Sequence, residues 1–506
     1  MKWMQLIGLA NIDVAFVRFQ DTISKDVLIR TVKEHLGLMA QSIFPGPTDR
    51  SVLTLQDQHR SEDVWRGVAD TVLSCRLHHH SLYLDWEIHD RVLRYVERAG
   101  FLGIHRLVGG GLEIDRPLLT ALVERWRQET HTFHLTVREA TITLEDVAVI
   151  LGLRVHGAPV TGRGEGNWAA LVFELLGIWP NTPENEPKVL QGSSLRLTWL
   201  RQHFFLLPND ADEVTVQRFA RAYILALMGS ILFADKSGDA VQVLYLPLLA
   251  DLDVAGTYSW GSATLAYLYR QLCRASHRGA RELGGPVLLL QIWAWEHIHI
   301  GRPRISRVRD PPPQFDEAVP ILGSQHVPGI DPLAVSWLRV HITRSHTAGG
   351  LPYYRDALDH QTDEQMTWQP YTDARLALLP AICRADRHVW RTVAPLICFD
   401  IVEFHFPGRV MRQFGFEQTI PAPSDTSTTL HAIDRRSKNK NYPLRHRPYI
   451  AHWDEREGHI VQGTPFSGRT HAFDEYMIWF RRITRLRLTN PSRRPPSTHY
   501  QPALQI

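Results

Sequence analysis

The stretch THTFHLTVREATITLEDVAVILGLRVHGAPVTG, residues 130–162, contains two β-type runs, a short helical run and a tail punctuated by glycine and proline. The two β-type runs are FHLTV at 133–137 and ATITL at 140–144. β-Branched and apolar residues dominate both runs, as is typical of strands. The block therefore predicts a small β element near 133–144.

The run TLEDVAVILGL, residues 143–153, has the pattern of a short helix. Thr143 is the predicted N-cap with Asp146 in the capping-box position, and Gly152 is the predicted stop. This helix resembles the first half of a DNA-reading helix-turn-helix motif, but the second helix is missing. The following residues, RVHGAPVTGRGEG at 154–166, contain too much glycine and proline for a recognition helix.

An active site is the second interpretation of the block, because it holds acidic and imidazole side chains suited to acid–base or metal chemistry. These residues are His131, His134, Glu139, Glu145 and Asp146. The spacing argues against this interpretation, because histidines at i and i+3 on a strand point to opposite faces. No HExxH cluster follows. The remaining interpretation is a structural one, in which the strands bury the short helix.

The whole chain has the composition of a folded, soluble protein. Of its 506 residues, 44% are hydrophobic and 22% are charged, which excludes the disordered and fibrous classes. The net charge of +3 is too small to imply nucleic acid by itself. Only seven of the 56 basic residues are lysine, so most of the positive charge is on guanidinium groups, which favour bidentate contacts.

Cysteine and hydropathy patterns indicate a reducing compartment and no membrane span. The four cysteines are far apart and form no CxxC pair; they are Cys75, Cys273, Cys383 and Cys398. The longest apolar run, PVLLLQIWAWEHI at 286–298, is shorter than the roughly 18 to 20 residues that a membrane requires. It predicts a buried helix.

Helical periodicity dominates the rest of the chain. Helices are predicted at 85–101, 117–128, 217–233, 260–273 and 473–486. The apolar run APLICFDIVEF at 394–404 suits either a strand or a helix. We therefore predict a mainly α fold, a large helical globular domain with the small β element near 133–144.

Proline, glycine and polar residues mark three segments between or after the predicted helices. Residues 301–332 predict a loop insertion, 420–441 a polar linker, and 491–506 a disordered tail. The large aromatics at helical spacing predict mostly core positions, with an exposed subset as a potential partner anchor. The tryptophans considered are Trp260, Trp293, Trp295, Trp368, Trp390 and Trp479.

Basic residues cluster after position 434 and form a candidate basic surface. They are Arg435, Arg436, Lys438, Lys440, Arg481, Arg482 and Arg485. Interleaved Tyr442, Tyr449 and Trp453 would allow base stacking beside phosphate contacts. The alternative is a solvated loop and an Arg-rich helix. The RRSKNK segment within 433–447 also suits a nuclear address.

Six segments in chain order resemble the plant mobile domain, also labelled the aminotransferase-like plant mobile domain. The first is the 130–162 block. The others are SVLTLQDQHRSEDVW at 51–65, ERAGFLGIHRL at 97–107, QIWAWEHIHIGRPR at 291–304, YYRDALDHQTDEQMTWQPY at 353–371 and WRTVAPLICFDIVEFHFPGRVMRQFG at 390–415. The resemblance places the domain at 48–490 and leaves 1–47 as an atypical N-terminal extension.

The resemblance, which extends to MAINTENANCE OF MERISTEMS-like proteins, implies a non-enzymatic nuclear protein. Such a protein would support meristem maintenance and silencing of transposable elements through protein partners, such as a phosphatase-7-like protein. It supplies no catalytic residue to transfer. A transposon-derived accessory protein that binds nucleic acid is the first alternative, and a divergent enzyme the second.

The sequence gives little support to an enzyme. Pyridoxal phosphate requires a Schiff-base lysine; Lys188 lies in a proline-rich loop and Lys236 in a turn, where a solvated lysine is favoured. The phosphatase motifs GDxHG, GDxxDRG and GNHE are absent, and no carboxylate trio has the spacing of a two-metal transposase site. We therefore predict no cofactor, no metal and no membrane partner.

Overall fold

The fold consists mainly of α-helices, as the helical periodicity predicts. The computed structural model describes residues 45–69, 71–75, 86–108, 112–182, 187–235, 238–303, 326–338, 350–424, 426, 428–433, 440–468 and 475–491. The helices are α1 (Arg60–Trp65), α2 (Asp90–Arg98), α3 (Leu102–His105), α4 (Arg116–Val123), α5 (Leu144–Leu151), α6 (Trp168–Leu176), α7 (Leu197–Phe204), α8 (Glu213–Leu227), α9 (Leu252–Ala255), α10 (Trp260–Ala275), α11 (Val287–His297), α12 (Gly350–Asp359), α13 (Asp373–Ala377), α14 (Ile382–Ala385), α15 (Thr428–His431), α16 (Tyr442–Arg445), α17 (Arg447–Asp454) and α18 (Glu475–Ile483). The predicted fold class is confirmed.

The predicted β element is present, but its strands are shorter than expected. Strands β1 (Trp126–Arg127), β2 (Thr132–His134) and β3 (Glu139–Ala140) form an antiparallel sheet in that order. The backbone N–H of Leu135 donates to the carbonyl of Arg138 at 3.1 Å. This turn ends strand β2, so the predicted run to 137 was too long. Strand β3 ends at Ala140 and the next helix begins at Leu144, so the predicted run to 144 was also too long.

Helix α5 follows this sheet and has the caps that the sequence predicts. The Thr143 hydroxyl accepts from the backbone N–H of Asp146, and the Asp146 carboxylate accepts from the backbone N–H of Thr143 at 2.7 Å. Gly152 ends the helix in the left-handed conformation with φ 64°, which glycine adopts without steric cost. Residues 152–167 contain no helix, so a recognition helix is absent there.

Asp146 joins α5 to two distant parts of the chain as well as capping the helix. One carboxylate oxygen, Oδ1, lies 2.7 Å from Nε2 of His297 and 2.8 Å from the hydroxyl of Tyr371. All three side chains are buried. A buried carboxylate needs such partners, because leaving its oxygens unsatisfied costs about 1–3 kcal/mol or more.

The core surrounds α10 and α11. Every residue of α11 is buried, and in α10 only Arg274 is exposed. Helix α5 packs against α10, α11 and α14. A helix that is apolar on all sides suits the centre of a large protein. Within the described residues, α11 and the other helices fall short of the length and apolar character that crossing a membrane requires.

Two further small sheets accompany the helices. Strands β4 (Leu190–Gln191), β5 (Ser194–Arg196) and β6 (Ala240–Gln242) form an antiparallel sheet, which the sequence did not predict. Strands β7 (Ala394–Cys398) and β8 (Ile401–His405) form an antiparallel hairpin that packs on α10. The run at 394–404, ambiguous by periodicity, is therefore a hairpin.

The helix predicted at 117–128 was too long. Helix α4 ends at Val123, and Trp126 belongs to strand β1, where it pairs with Phe133. The buried Glu124 carboxylate lies 2.7 Å from Nη2 of Arg355, and the Arg125 guanidinium lies 2.5 Å from Asp359. These long-range ion pairs fix the chain just after α4, which local periodicity does not reveal.

Large parts of the predicted segments lie outside the described residues, and their character stays a prediction. They comprise the extension to residue 44, the loop from 304 to 325, the linker residues 434–439 and the tail from 492. Described residues up to Asn490 belong to one compact unit that begins at Pro45. Within this unit, the backbone N–H groups of Thr48 and Asp49 both donate to the carbonyl of Arg482 at 2.9 Å.

Substituting Gly103 with alanine should destabilise the protein by about 1–3 kcal/mol, the usual cost of overpacking. A Cβ atom at Gly103 would lie 2.4 Å from the carbonyl oxygen of Leu151, so α3 and α5 would have to separate. Gly166→Ala is the matched control, because no atom lies within 4 Å of its added Cβ. Thermal melts followed by circular dichroism measure the difference. Equal melting temperatures for both variants would contradict this close contact.

Candidate functional site

The candidate basic surface is described only in part. Arg435, Arg436 and Lys438 lie outside the described residues. The carbonyl of Lys440 accepts from the backbone N–H of Gly164 at 2.9 Å. This bond fixes the backbone at the end of the polar segment.

The arginines of the last helix divide into exposed and buried residues. Arg481 and Arg482 on α18 are exposed. Arg485 is only 4% exposed, and its guanidinium lies 2.8 Å from Glu62 and donates to the carbonyl oxygens of Ser61 and Gly46. The prediction that Arg485 belongs to the basic surface was wrong. Its guanidinium is buried and bonded to three internal acceptors, so it cannot contact a phosphate backbone.

The lysines considered for pyridoxal phosphate do not form a described cofactor site. Lys188 is exposed, and Lys236 lies outside the described residues.

One surface cleft, of about 660 Å³, is lined by Glu129, Arg409, Trp479 and segments near 51–55 and 420–426. Glu129 is the one carboxylate among its lining residues, and it accepts from the backbone N–H of Leu55 at 2.7 Å. The cleft therefore lacks a carboxylate pair.

A second cleft, of about 280 Å³, lies beside the N-terminus of α5 and also contains one carboxylate. Burial and the neighbouring Asp146 raise the pKa of Glu145 to about 8, while Arg387 and Arg391 oppose this rise. The Arg391 guanidinium lies over the Phe416 ring at 4.9 Å. One carboxyl group can exchange a proton, but the residues that line this cleft do not supply a second carboxylate to form a pair with it.

An exposed aromatic pair follows helix α6. Asn167 caps this helix by accepting from the backbone N–H of Ala170 at 3.1 Å. Gly177, with φ 82°, ends it and turns the chain back. The Trp179 ring therefore stacks on Phe173, with ring centroids 4.8 Å apart and 12° between the planes.

The pair is exposed, and an arginine packs on the glycine that lies between its two residues in the chain. Phe173 is 43% exposed and Trp179 is 46% exposed, although stacking already covers one face of each ring. The Arg218 guanidinium packs on Gly177, where an added Cβ would meet Nη1 at 2.7 Å. We call Phe173, Trp179 and Arg218 the aromatic surface.

Among the tryptophans that the structure describes, only Trp179 is exposed, and the others are buried or half-buried. The six tryptophans weighed from the sequence are buried, apart from the half-buried Trp479. The sequence thus missed the exposed residue. The Gly177 stop, two residues before Trp179, was the available signal, because a turn after a helix brings its side chains to the surface.

The described residues contain two groups with the donor atoms of a metal site. His156, His388 and Glu457 form a partly exposed group, and His131, Cys273 and His431 form a mostly buried one. His131 faces Glu403, with Nε2 and Oε2 3.0 Å apart, whereas His134 contacts the Thr484 hydroxyl at 2.7 Å. The two histidines therefore have different partners. His131 lies in the turn before β2, so the strand periodicity used in the prediction does not apply to it.

Comparison with known proteins identifies the class. The sequence profile of the plant mobile domain matches residues 100–481. The chain belongs to the plant mobile domain family. No solved structure matches the chain.

The chain is similar to several curated proteins of Arabidopsis thaliana. It is 46% identical over 469 residues to "Serine/threonine-protein phosphatase 7 long form homolog", a match that covers 91% of this chain but 33% of that protein. It is 38% identical to "Protein MAIN-LIKE 1", covering 87% of this chain and 79% of the relative. Identity to "Protein MAINTENANCE OF MERISTEMS" is 35%, over 86% of this chain and 82% of the relative. The chain thus spans about a third of the phosphatase-named relative.

Proposed function

We propose that this chain is a non-enzymatic nuclear protein that acts in meristem maintenance and transposable-element silencing by binding a protein partner. The name of a relative that it covers along 82% of its length supports the meristem role. The family resemblance supports the silencing role and the nuclear location. The two clefts, each with one carboxylate among its lining residues, support a binding protein over a hydrolase.

The aromatic surface is the observation that carries the proposal. Large aromatic side chains are usually buried, yet Phe173 and Trp179 remain exposed, and Arg218 packs on the nearby Gly177. Tryptophan and arginine dominate the binding energy of protein interfaces. The two rings already stack on each other, so less side-chain freedom is lost when a partner covers them.

We propose a phosphatase-7-like protein as the partner. A segment 46% identical to this chain makes up a third of a relative that is named as a phosphatase homolog. The occurrence of such a segment in a protein with that name supports association with a phosphatase-like protein as a separate chain. The phosphatase motifs absent from this chain would then be supplied by the partner.

Substituting Trp179 with alanine should reduce recovery of the partner at least about tenfold, because a hot-spot residue contributes about 2 kcal/mol or more. The tagged chain would be purified from plant nuclei at low and high salt, with nuclease, and its partners identified by mass spectrometry. Ile478→Ala is the control, because Ile478 is similarly exposed at 48%. Equal recovery with Trp179→Ala and the wild type would contradict the proposed surface.

Nucleic-acid binding is the second candidate function, favoured by the adjacent exposed Arg481 and Arg482. Replacing both with alanine should lower retention on DNA and reduce the salt dependence by about two phosphate contacts. Partners that vanish with nuclease would favour this function. A salt dependence unchanged by the double substitution would exclude α18 as the DNA contact.

A further inference from the structure

Three buried side chains and one half-buried side chain from distant parts of the chain converge beside the sheet of the opening block. His131 lies in the turn between β1 and β2, with φ 51°, and Cys273 lies near the end of α10. Glu403 comes from β8, and His431 ends α15. One donor atom from each of His131, Cys273 and His431 lies within 4.8 Å of the others. Oε2 of Glu403 lies 3.0 Å from Nε2 of His131 and 3.2 Å from Nε2 of His431.

The hydrogen bonds of His131 make this convergence unusual. Nδ1 of His131 lies 2.8 Å from the backbone carbonyl oxygen of Phe404, which can only accept, so Nδ1 carries the proton. In a neutral ring, Nε2 then presents a lone pair, and it faces the carboxylate of Glu403. Nε2 of His131 has no well-formed hydrogen bond within the described part of the chain, and it faces Oε2 of Glu403, which also lies close to Nε2 of His431. A cation between the two imidazoles and the carboxylate would give the His131 lone pair a partner.

One oxygen of the Glu403 carboxylate already has a charged partner. Arg270 forms a buried ion pair with this oxygen, Oε1. Oε2 is therefore the carboxylate oxygen that faces the two imidazoles.

The surroundings match the outer contacts of a metal site. A metal-ligating histidine usually donates its other ring N–H to a carbonyl, as His131 does to Phe404. The indole N–H of Trp126 lies 3.3 Å from the Cys273 sulfur, which suits a thiolate acceptor. Arg270 donates to the carbonyl oxygens of Leu430 and Ile433, each at 3.1 Å, and so fixes the segment that carries His431.

We propose that His131, Cys273, His431 and Glu403 bind one divalent transition-metal ion, with zinc as the best match. Two imidazole nitrogens, one thiolate and one carboxylate oxygen are ordinary zinc ligands. Binding would release the Cys273 thiol proton to solvent, and the thiolate and carboxylate together would balance the two charges of the ion. Zinc–nitrogen bonds of about 2.0–2.1 Å and zinc–sulfur bonds of about 2.3 Å require the donor atoms to close in by about 1 Å.

The site is structural in kind. Four protein ligands fill a tetrahedral zinc ion and leave no position for substrate. The ion would fasten the segment at 428–433 to α10 and β8. It would thereby hold one end of the polar linker against the core.

The first test measures metal in the purified full-length chain after it is loaded with zinc and passed through a chelating column. We expect one zinc ion per wild-type chain by mass spectrometry, and loss of that ion in Cys273→Ser. Cys383→Ser is the matched control, because Cys383 is equally buried and lies outside the cluster. His388→Ala should also retain the ion, which separates this site from the partly exposed group.

Cobalt substitution provides a readout that needs no variant. Cobalt(II) bound through a cysteine should give a thiolate-to-cobalt charge-transfer band, together with the visible bands of a tetrahedral ion. Folded wild-type protein that holds no more zinc than Cys273→Ser, or that shows no charge-transfer band with cobalt, would overturn the site.

Discussion

Leu151→Asp is expected to unfold the chain at neutral pH. Leu151 is 1% exposed, in the last turn of α5, and its carbonyl oxygen faces Gly103. A carboxylate there would be buried without a partner, at a cost above about 4 kcal/mol. Domains of ordinary stability have only about 5–15 kcal/mol in total. Circular dichroism at 222 nm during a thermal melt would show a loss of the folded baseline or a large drop in melting temperature.

The control for this experiment is Leu151→Met. It conserves volume and apolar character, so the expected cost is below about 1.5 kcal/mol. If the aspartate variant melts like the wild type, α5 does not lie in the core as described.

Glu139→Gln should cost about 3–5 kcal/mol at pH 7, because it removes one partner of a buried ion pair. Glu139 on β3 lies 2.8 Å from Nε of Arg409 and accepts hydrogen bonds from the hydroxyls of Thr132 and Tyr476. The substitution leaves the Arg409 charge buried without its counter-ion. Urea unfolding measures the change in the free energy of unfolding.

The pH dependence gives this prediction a second readout. Burial alone would raise the pKa of Glu139, but Arg409 and His134 together hold it lower, at about 2. The ordinary glutamate value in an unfolded chain is about 4.3. The stabilisation is therefore present above that value and is lost as the pH falls toward 2. The difference between wild type and Glu139→Gln should shrink over the same range.

The surface pair Arg98–Asp253 supplies the control. Both side chains are about half exposed, and surface pairs contribute little because water screens them. Asp253→Asn should leave the free energy of unfolding nearly unchanged. A similar loss in both variants would mean that the burial of Glu139 is unimportant for stability.

Local features were well predicted from the sequence because their causes are local. The Thr143 cap and the Gly152 stop depend on residues within one or two turns of α5. The buried helix at 286–298 follows from an unbroken apolar run, and α11 occupies 287–297 of it. Such patterns require no knowledge of the rest of the fold.

Long-range contacts account for what the sequence did not predict. The residues next to Arg485 in the sequence are typical of an exposed arginine. Arg485 is nevertheless buried, because Glu62 lies opposite it in space. The group formed by His131, Cys273 and His431 spans 300 residues, so no short motif reveals it. Trp179 was missed because exposure depends on what the rest of the chain leaves uncovered.

The hydrogen bonds of Thr48 and Asp49 to Arg482 have a topological consequence. They bring the entry and exit points of the compact unit side by side. A unit of this kind can be inserted into a longer polypeptide without separating the segments before and after it. The match to one third of a much longer relative is compatible with such insertion. Because Arg482 lies on the last helix, α18, the unit can form these hydrogen bonds only after that helix has been synthesised.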